Sequence, residues 1–235
     1  MVDFHSHILP GIDDGSTSRE MSMEMLCMEA RQGITHVVAT PHFYAHEDKL
    51  ERFLQRRDRA EQVLRSEMRN HTGLPELLIG AEVSFFRGIS ETAFLHELKI
   101  RGTDSVLIEM PAAPWDDAMF SELRAIWERQ RLVPIIAHID RYIGPWRTYN
   151  IPKRLSQLPV LVQANAEAFT DRHVEKLMLR LLKADAIHLL GSDCHNLAER
   201  TPNMADAVEH IRAKIGSDAL ARIHMHENRV LKIAP

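Results

Sequence analysis

The chain has 235 residues, 45% of them hydrophobic, and a formal net charge of −4. That supports one substantial core in a single domain spanning residues 1–235, with no nucleic-acid footprint in the mixed charge and no run of about 18 apolar residues to insert in a membrane. Cys27 and Cys194 are the only cysteines and build no disulfide framework, so a reducing, cytoplasmic setting is expected; the opening Met1-Val2-Asp3-Phe4-His5 carries no signal-peptide pattern.

In chain order, a strand over Val2 to His5 runs into His5-Ser6-His7. A helix follows. Thr17 and Glu20 have capping-box spacing at its start, Met21, Met25 and Met28 form a stripe read as core packing, and Gly33 stands after its end. A second strand, Ile34 to Ala39, leads to Thr40-Pro41-His42. The next helix, Lys49 to Arg69, is dense in charge, and its polar faces read as solvated. Strands over Glu76 to Val83 and Ser105 to Met110 carry Glu82 and Glu109. A helix over Asp116 to Arg131 precedes a strand from Val133 to His138. The stretch Tyr142 to Ile151, with Gly144, Pro145 and Trp146, reads as a loop. The strand Val160 to Ala164 ends near Asn165 with no obvious metal ligand. After a helix over Asp171 to Lys183, the last strand, Ile187 to Ser192, runs into Asp193-Cys194-His195, and a helix covers Met204 to Ile215. Continuous apolar strands alternating with helices predict parallel pairing in an α/β barrel or open sheet.

In a barrel the chain leaves every strand at the same face. Six of the seven strand ends here carry imidazole or carboxylate: His5, His7, Asp14, His42, Glu82, Glu109, His138, Asp193 and His195 are candidate ligands. Alone, a strand-end His is more often a hydrogen-bonded structural residue and a Glu an ion-pair partner. Together, buried carboxylates and imidazoles need a cation to neutralise them. Residues i and i+2 of an extended chain point to one side, so His5 and His7 can share an ion. The set offers donors for two or three divalent ions, and imidazole with carboxylate but no thiolate favours Mn, Fe or Zn over Mg or Ca. Three such ions outweigh the four carboxylates, and the surplus charge attracts an anion. Arg141 and Arg200 follow His138 and His195 closely and suit forked recognition of phosphate oxygens, although ordinary surface charge is the plainer role.

The segments HSHILPGIDDG at 5–15, ATPH at 39–42, GAE at 80–82, IE at 108–109, AHIDRY at 137–142 and SDCHN at 192–196 resemble the polymerase-and-histidinol-phosphatase (PHP) superfamily. Within it the chain looks most like the bacterial manganese-dependent protein-tyrosine phosphatases of capsule and exopolysaccharide systems. The resemblance implies a distorted seven-stranded TIM-like (β/α) barrel and three ions. His5, His7, Glu82 and Asp193 would hold the first, Glu82, Glu109 and His138 the second, and Asp14, His42 and His195 the third. It also implies Arg141 and Arg200 at the phosphate, manganese as the metal, and the phosphotyrosine-bearing tail of a bacterial tyrosine kinase as partner. Two positions depart from the family: Asp140 stands where Glu is common, and Cys194 where an apolar residue is common.

The mechanism this implies is in-line attack on phosphorus by a metal-bridged hydroxide, with a phenolate leaving. If a general acid is needed, His42 or a metal-bound water is the candidate; Phe43, Tyr44 and Trp115 could flank the ring, although packing against their own loops is the plainer role. Cys194 and Arg200 have the spacing of cysteine-dependent tyrosine phosphatases. The residues between them lack glycine and include Glu199, so the spacing reads as coincidence. Two rival readings stand beside this one: a small-molecule phosphoesterase such as a histidinol-phosphate phosphatase, or a catalytically silent metal-binding module. The acidic balance weighs against a nuclease.

Overall fold

The computed structural model describes residues 1–143 and 150–232. The strands are β1 (Val2–Ser6), β2 (His36–Ala39), β3 (His42–Phe43), β4 (Glu76–Ile79), β5 (Glu82–Ser84), β6 (Ser105–Glu109), β7 (Val133–Ile136), β8 (Leu161–Asn165) and β9 (Leu189–Gly191). The helices are α1 (Arg19–Arg31), α2 (Leu50–Met68), α3 (Leu95–Leu98), α4 (Asp117–Gln130), α5 (Asn150–Leu155), α6 (Glu175–Lys183), α7 (Met204–Ile215) and α8 (Ser217–Leu231). All strand pairs are parallel, in a sheet ordered β1-β2-β4 and another ordered β3-β5-β6-β7-β8-β9. The two sheets meet where β1 lies against the end of β9. Asp193 N–H donates to His5 O at 2.7 Å, and His7 N–H donates to Cys194 O at 2.9 Å. No helix among the described residues is long and apolar enough to cross a membrane.

The result is a curled parallel α/β sheet, not one uninterrupted seven-stranded barrel. The third expected strand breaks into β4 and β5, and a further short strand, β3, follows the second across Thr40 and Pro41. Pro41 has no N–H to give the ladder. Gly80 lies so close to Ile100 that a Cβ there would come within 3.2 Å of Ile100 Cγ1. Arg57 braces this break: its guanidinium donates to Gly80 O at 3.2 Å and Glu97 O at 2.9 Å. The polar face of α2 is therefore not wholly solvated, since Arg57 is buried.

Two apolar layers follow from the strand period of two. Phe4, Val38, Leu107, Ile135, Ala137 and Leu189 share one core inside the curl. Alternate residues such as Val37, Ile79, Val106, Ile136, Val162 and Leu190 pack outward against the helices.

The helix boundaries correct several expectations. Ser18, not Thr17, caps α1, its side chain accepting from Met21 N. The buried face of α1 is Ser22, Met23, Met25, Leu26 and Glu29, so Met21 and Met28 only border the core. α6 starts at Glu175, later than Asp171. α8 has no counterpart among the expected helices, although Ala219, Ile223, Glu227 and Val230 repeat at helical spacing and are buried. Of the loop expected over Tyr142 to Ile151, residues 144–149 lie outside the described residues, and Ile151 is already in α5.

Candidate metal centre

β1 advances from Asp3 to Ser6 while its partner β2 advances only from Val37 to Ala39. This one-residue irregularity falls between Asp3 and Ser6 and re-aims the chain at the strand end. His5 and His7 Nε2 atoms then face each other at 3.2 Å. Gly15 permits the return of the following loop, because a Cβ there would sit 2.2 Å from His7 O. His42 on β3 and Glu82 on β5 are directly paired in register. His138 and Asp193 leave β7 and β9 with positive φ, 31° and 52°. Non-glycine residues rarely adopt that region, and their presence together marks strain held at a site.

The structure gathers all nine candidate ligands. His5, His7, Glu82, His138, Asp193 and His195 are buried, His42 and Glu109 half-buried, and the Asp14 side chain is 67% exposed at the mouth. Ligand atoms of His5, His7 and Asp193 lie within 4.8 Å of one another, as do those of His42, Glu82 and Glu109, and those of His7, Asp14, His42 and His195. Glu82 joins the groups. Its Oε2 is 3.2 Å from His5 Nε2, 3.3 Å from His7 Nε2 and 2.9 Å from His42 Nδ1. Its Oε1 is 2.9 Å from His138 Nε2, which lies 3.7 Å from Glu109 Oε1. Compared with the partition the resemblance implies, His7 also borders the third group and His42 the second.

Hydrogen bonds behind the rings fix which nitrogens carry lone pairs. His7 Nδ1 donates to Asp13 Oδ2 at 2.8 Å, His5 Nδ1 faces Gln163 Oε1 at 3.4 Å, and His195 Nδ1 donates to Asp193 O at 2.9 Å. Each acceptor is an oxygen, so each neutral ring keeps its proton on Nδ1 and turns a bare Nε2 inward. At 3.2 Å the His5 and His7 Nε2 atoms need either a shared proton or a cation between them. Glu82 Oε2, His42 Nδ1 and His195 Nε2 are buried with no hydrogen-bond partner among the described residues, despite their close neighbours. Orphaned donor atoms of this kind, oxygen and nitrogen without thiolate, fit divalent cations.

The electrostatics agree. Burial pushes Glu82 and Asp193 up, but surrounding imidazoles outweigh it and hold both carboxyls well below their usual range. Burial lowers His7, yet its bonds to Asp13 and Glu82 prevail and raise it to about 10. Absent a cation, His7 itself must supply positive charge. Burial and then the Glu82 charge raise Glu109, while burial lowers His138 and brings His195 to about 4.

Several supporting residues escaped sequence reading. Asp13 accepts from His7 Nδ1, Gly15 N and His42 N, tying two ligand-bearing segments together. Although burial pushes its carboxyl up, His7 holds it at about 2. Its one signal was adjacency to Asp14. β8 supplies no ligand but does supply positioning groups. Gln163 Oε1 accepts from His138 N at 2.6 Å, Gln163 Nε2 donates to Asn165 Oδ1, and Asn165 Nδ2 donates to Asp193 Oδ2 at 3.0 Å. Beneath the centre, Asp3, Glu29 and Cys194 form a further buried group. Burial and then the Asp3 charge push Glu29 to about 10, so it is a neutral acid beside a structural carboxylate that accepts from Ser192.

Arg141 and Arg200 both reach the centre. Arg141 Nη2 pairs with Asp193 Oδ2, and Arg200 Nη2 lies 2.7 Å from Asp193 Oδ1. Of the aromatic candidates, only Tyr44 borders the mouth, its ring stacked on His42 at 5.3 Å. Phe43 is buried against Phe53 and Phe94, and Trp115 against Phe120 and Tyr142, so neither is free to flank a substrate. Cys194 is fully buried, and burial pushes its thiol well above the usual value. That thiol is no nucleophile.

Known proteins are similar to this chain in sequence and in fold. The family model described as "Capsular polysaccharide synthesis, CpsB/CapC" matches residues 1–232. Tyrosine-protein phosphatase CpsB of Streptococcus pneumoniae is 30% identical over 234 residues, covering 92% of each chain. Tyrosine-protein phosphatase YwqE of Bacillus subtilis is 28% identical over 226 residues, covering 93% of this chain and 86% of that one. A solved structure from a study of YwqE and CpsB, described as unique metal-dependent tyrosine phosphatases, superposes with a TM-score of 0.82 at 22% identity, covering 100% of this chain and 96% of that one. Histidinol phosphate phosphatase from Lactococcus lactis, solved with zinc, L-histidinol and phosphate, superposes with a TM-score of 0.56 at 16% identity, covering 96% and 93%. At those identities the superpositions speak to fold alone, whereas the family match runs nearly end to end. The chain belongs to the CpsB/CapC family of capsular polysaccharide synthesis.

Proposed function

We propose that this chain is one catalytic domain, a cytoplasmic metal-dependent protein-tyrosine phosphatase acting on the phosphotyrosine-bearing tail of a tyrosine kinase in capsule or exopolysaccharide synthesis. The names of the relatives support the activity. The observation that carries it is the convergence of imidazole nitrogens and carboxylate oxygens at one end of the sheet, with Glu82 Oε2, His42 Nδ1 and His195 Nε2 buried and without a hydrogen-bond partner. In this reading the broken strands β2/β3 and β4/β5 each count as one stave of a seven-staved barrel. His5, His7, Asp14, His42, Glu82, Glu109, His138, Asp193 and His195 are the metal ligands, for two or three ions, with manganese the expected metal.

When bound, the ions supply Lewis acidity and bring the pKa of water toward neutrality. The chain's own residues do the rest. Asp13 and Gln163 hold the His7 and His5 tautomers, so their Nε2 lone pairs stay aimed inward. Arg141 and Arg200, resting on Asp193, turn their forked donors to phosphoryl oxygens when a phosphate arrives. Tyr44 offers a ring face at the mouth, and an extended, flexible peptide reaches it without unfolding. A phenolate is a weak base and needs little proton donation on leaving. His42 cannot be ligand and general acid at once, and its Nδ1 at 2.9 Å from Glu82 favours the ligand role.

The test is hydrolysis of a phosphotyrosyl peptide by metal-stripped protein with and without Mn²⁺, beside histidinol phosphate and a His138→Ala variant. Turnover of the peptide only with metal, lost in the variant, supports the proposal. Metal-loaded protein that ignores the peptide but hydrolyses histidinol phosphate replaces it with the small-ester reading. Kinase binding without any turnover replaces it with the silent module.

A further inference from the structure

At the end of the sheet opposite the candidate ligands, Val133, Val160 and Leu161 wall a cavity of about 380 Å³. The topology explains its position. Val133 and Leu161 are the first residues of β7 and β8, and α8 passes beneath them with His226, Arg229 and Val230. Trp127 of α4, an exposed large apolar side chain, stands on one side. The volume accommodates a fused-ring body, at the small end of ligand pockets of roughly 300–1,000 Å³.

The polar groups in this apolar wall are few and incompletely paired. His226 is buried, and its Nε2 lies 3.2 Å from Asp185 Oδ1, which only accepts. The ring proton therefore sits on Nε2 and leaves Nδ1 as a bare acceptor, buried and without a partner. Beside it, His188 accepts Val162 N–H on Nδ1 at 3.0 Å, so its proton is on Nε2. At the rim, Lys232 is neutralised by Asp104 at 2.8 Å. Arg229 forms no ion pair or hydrogen bond among the described residues, which leaves the rim one uncompensated positive charge.

We propose that this cavity is a second binding site, for a small aromatic carboxylate. Its ring body lies between Trp127 and the Val133–Leu161 wall, and its carboxylate meets Arg229. A hydroxyl on the body gives His226 Nδ1 the donor it lacks. The site shares no residue with the metal centre and stands whether or not the phosphatase reading does.

Isothermal titration with 2-naphthoate, on full-length protein stripped of metal by chelator, tests this. One saturable site is expected, weakened about tenfold in Arg229→Gln and about tenfold for the neutral analogue 2-naphthylmethanol. The 6-hydroxy derivative should bind tighter, and Val133→Trp should remove binding while far-ultraviolet dichroism stays native. Lack of saturable binding at millimolar naphthoate overturns the proposal. So does unchanged affinity in Arg229→Gln, a surface change that leaves the fold intact, or displacement of naphthoate by inorganic phosphate, which would locate it at the other end.

Discussion

The two ends of the same strands follow opposite rules. Inside the curl, Phe4, Val38, Leu107, Ile135, Ala137 and Leu189 pack in one apolar core with no polar atom to satisfy. Between one and four residues further along, those strands deliver His5, Glu109, His138 and Asp193. Here two imidazole nitrogens face each other, buried atoms lack partners, and two residues hold positive φ. The core is stable by burial alone. The ligand end is stable only with something positive in it. The difference teaches that stability and chemistry occupy separate layers of one sheet, so each can be broken without the other.

The largest separation comes from removing metal. Chelation should reduce turnover to background and lower Tm, while far-ultraviolet dichroism keeps its native shape because the apolar core needs no ion. Loss of the native spectrum on chelation would merge the two layers. Leu107→Ala should do the reverse. It costs about 2–5 kcal/mol in denaturant unfolding, yet the folded fraction keeps its metal content. Between them stands Asp13→Asn, which weakens the anchor on His7 without touching a ligand. Metal affinity by competition with a chelating dye should fall about 10–100-fold, and unchanged affinity would remove Asp13 from the centre.

A smaller effect concerns pH. Burial holds His188 at about 4 against an ordinary 6.5. The folded state keeps this ring neutral while the unfolded chain protonates it. The stability His188 contributes is therefore complete above about pH 6.5 and drains away as pH falls toward 4. His188→Asn keeps an acceptor for Val162 N–H and does not titrate. Its unfolding free energy should fall less than that of the native chain between pH 7 and pH 5, by an amount on the order of 1 kcal/mol in denaturant titrations. Parallel curves would show that the ring already titrates normally. The smallest expected effect is none: Cys194→Ser should retain metal-dependent turnover, since the buried thiol plays no part in the chemistry.

The ligand end was largely legible in the amino-acid sequence because ligand type and strand-end position coincide there. His42, Glu82 and His138 each close an apolar run, and runs of that kind mark buried parallel strands. The supporting residues were not legible, because Asp13, Gln163 and Asn165 are common polar residues whose meaning lies in what they touch. Nor was the register shift between Asp3 and Ser6, a property of pairing between distant strands, or the break at Gly80 that Arg57 braces. α8 was readable in principle, since Ala219, Ile223, Glu227 and Val230 keep helical spacing, but its polar surface residues obscured the pattern. The methionine stripe of α1 misled by one position, because Met21 and Met28 border the core face that Leu26 and Glu29 occupy.

The central claim is that Glu82, set among His5, His7, His42 and His138, holds ions on which turnover depends. The most direct measurement is metal content by mass spectrometry, with phosphotyrosyl-peptide turnover measured on the same samples, for the native chain and Glu82→Gln. The account predicts two or three ions per native chain, and loss of at least one ion together with turnover in Glu82→Gln, with the fold retained. A variant that keeps its full metal complement and native turnover would contradict it.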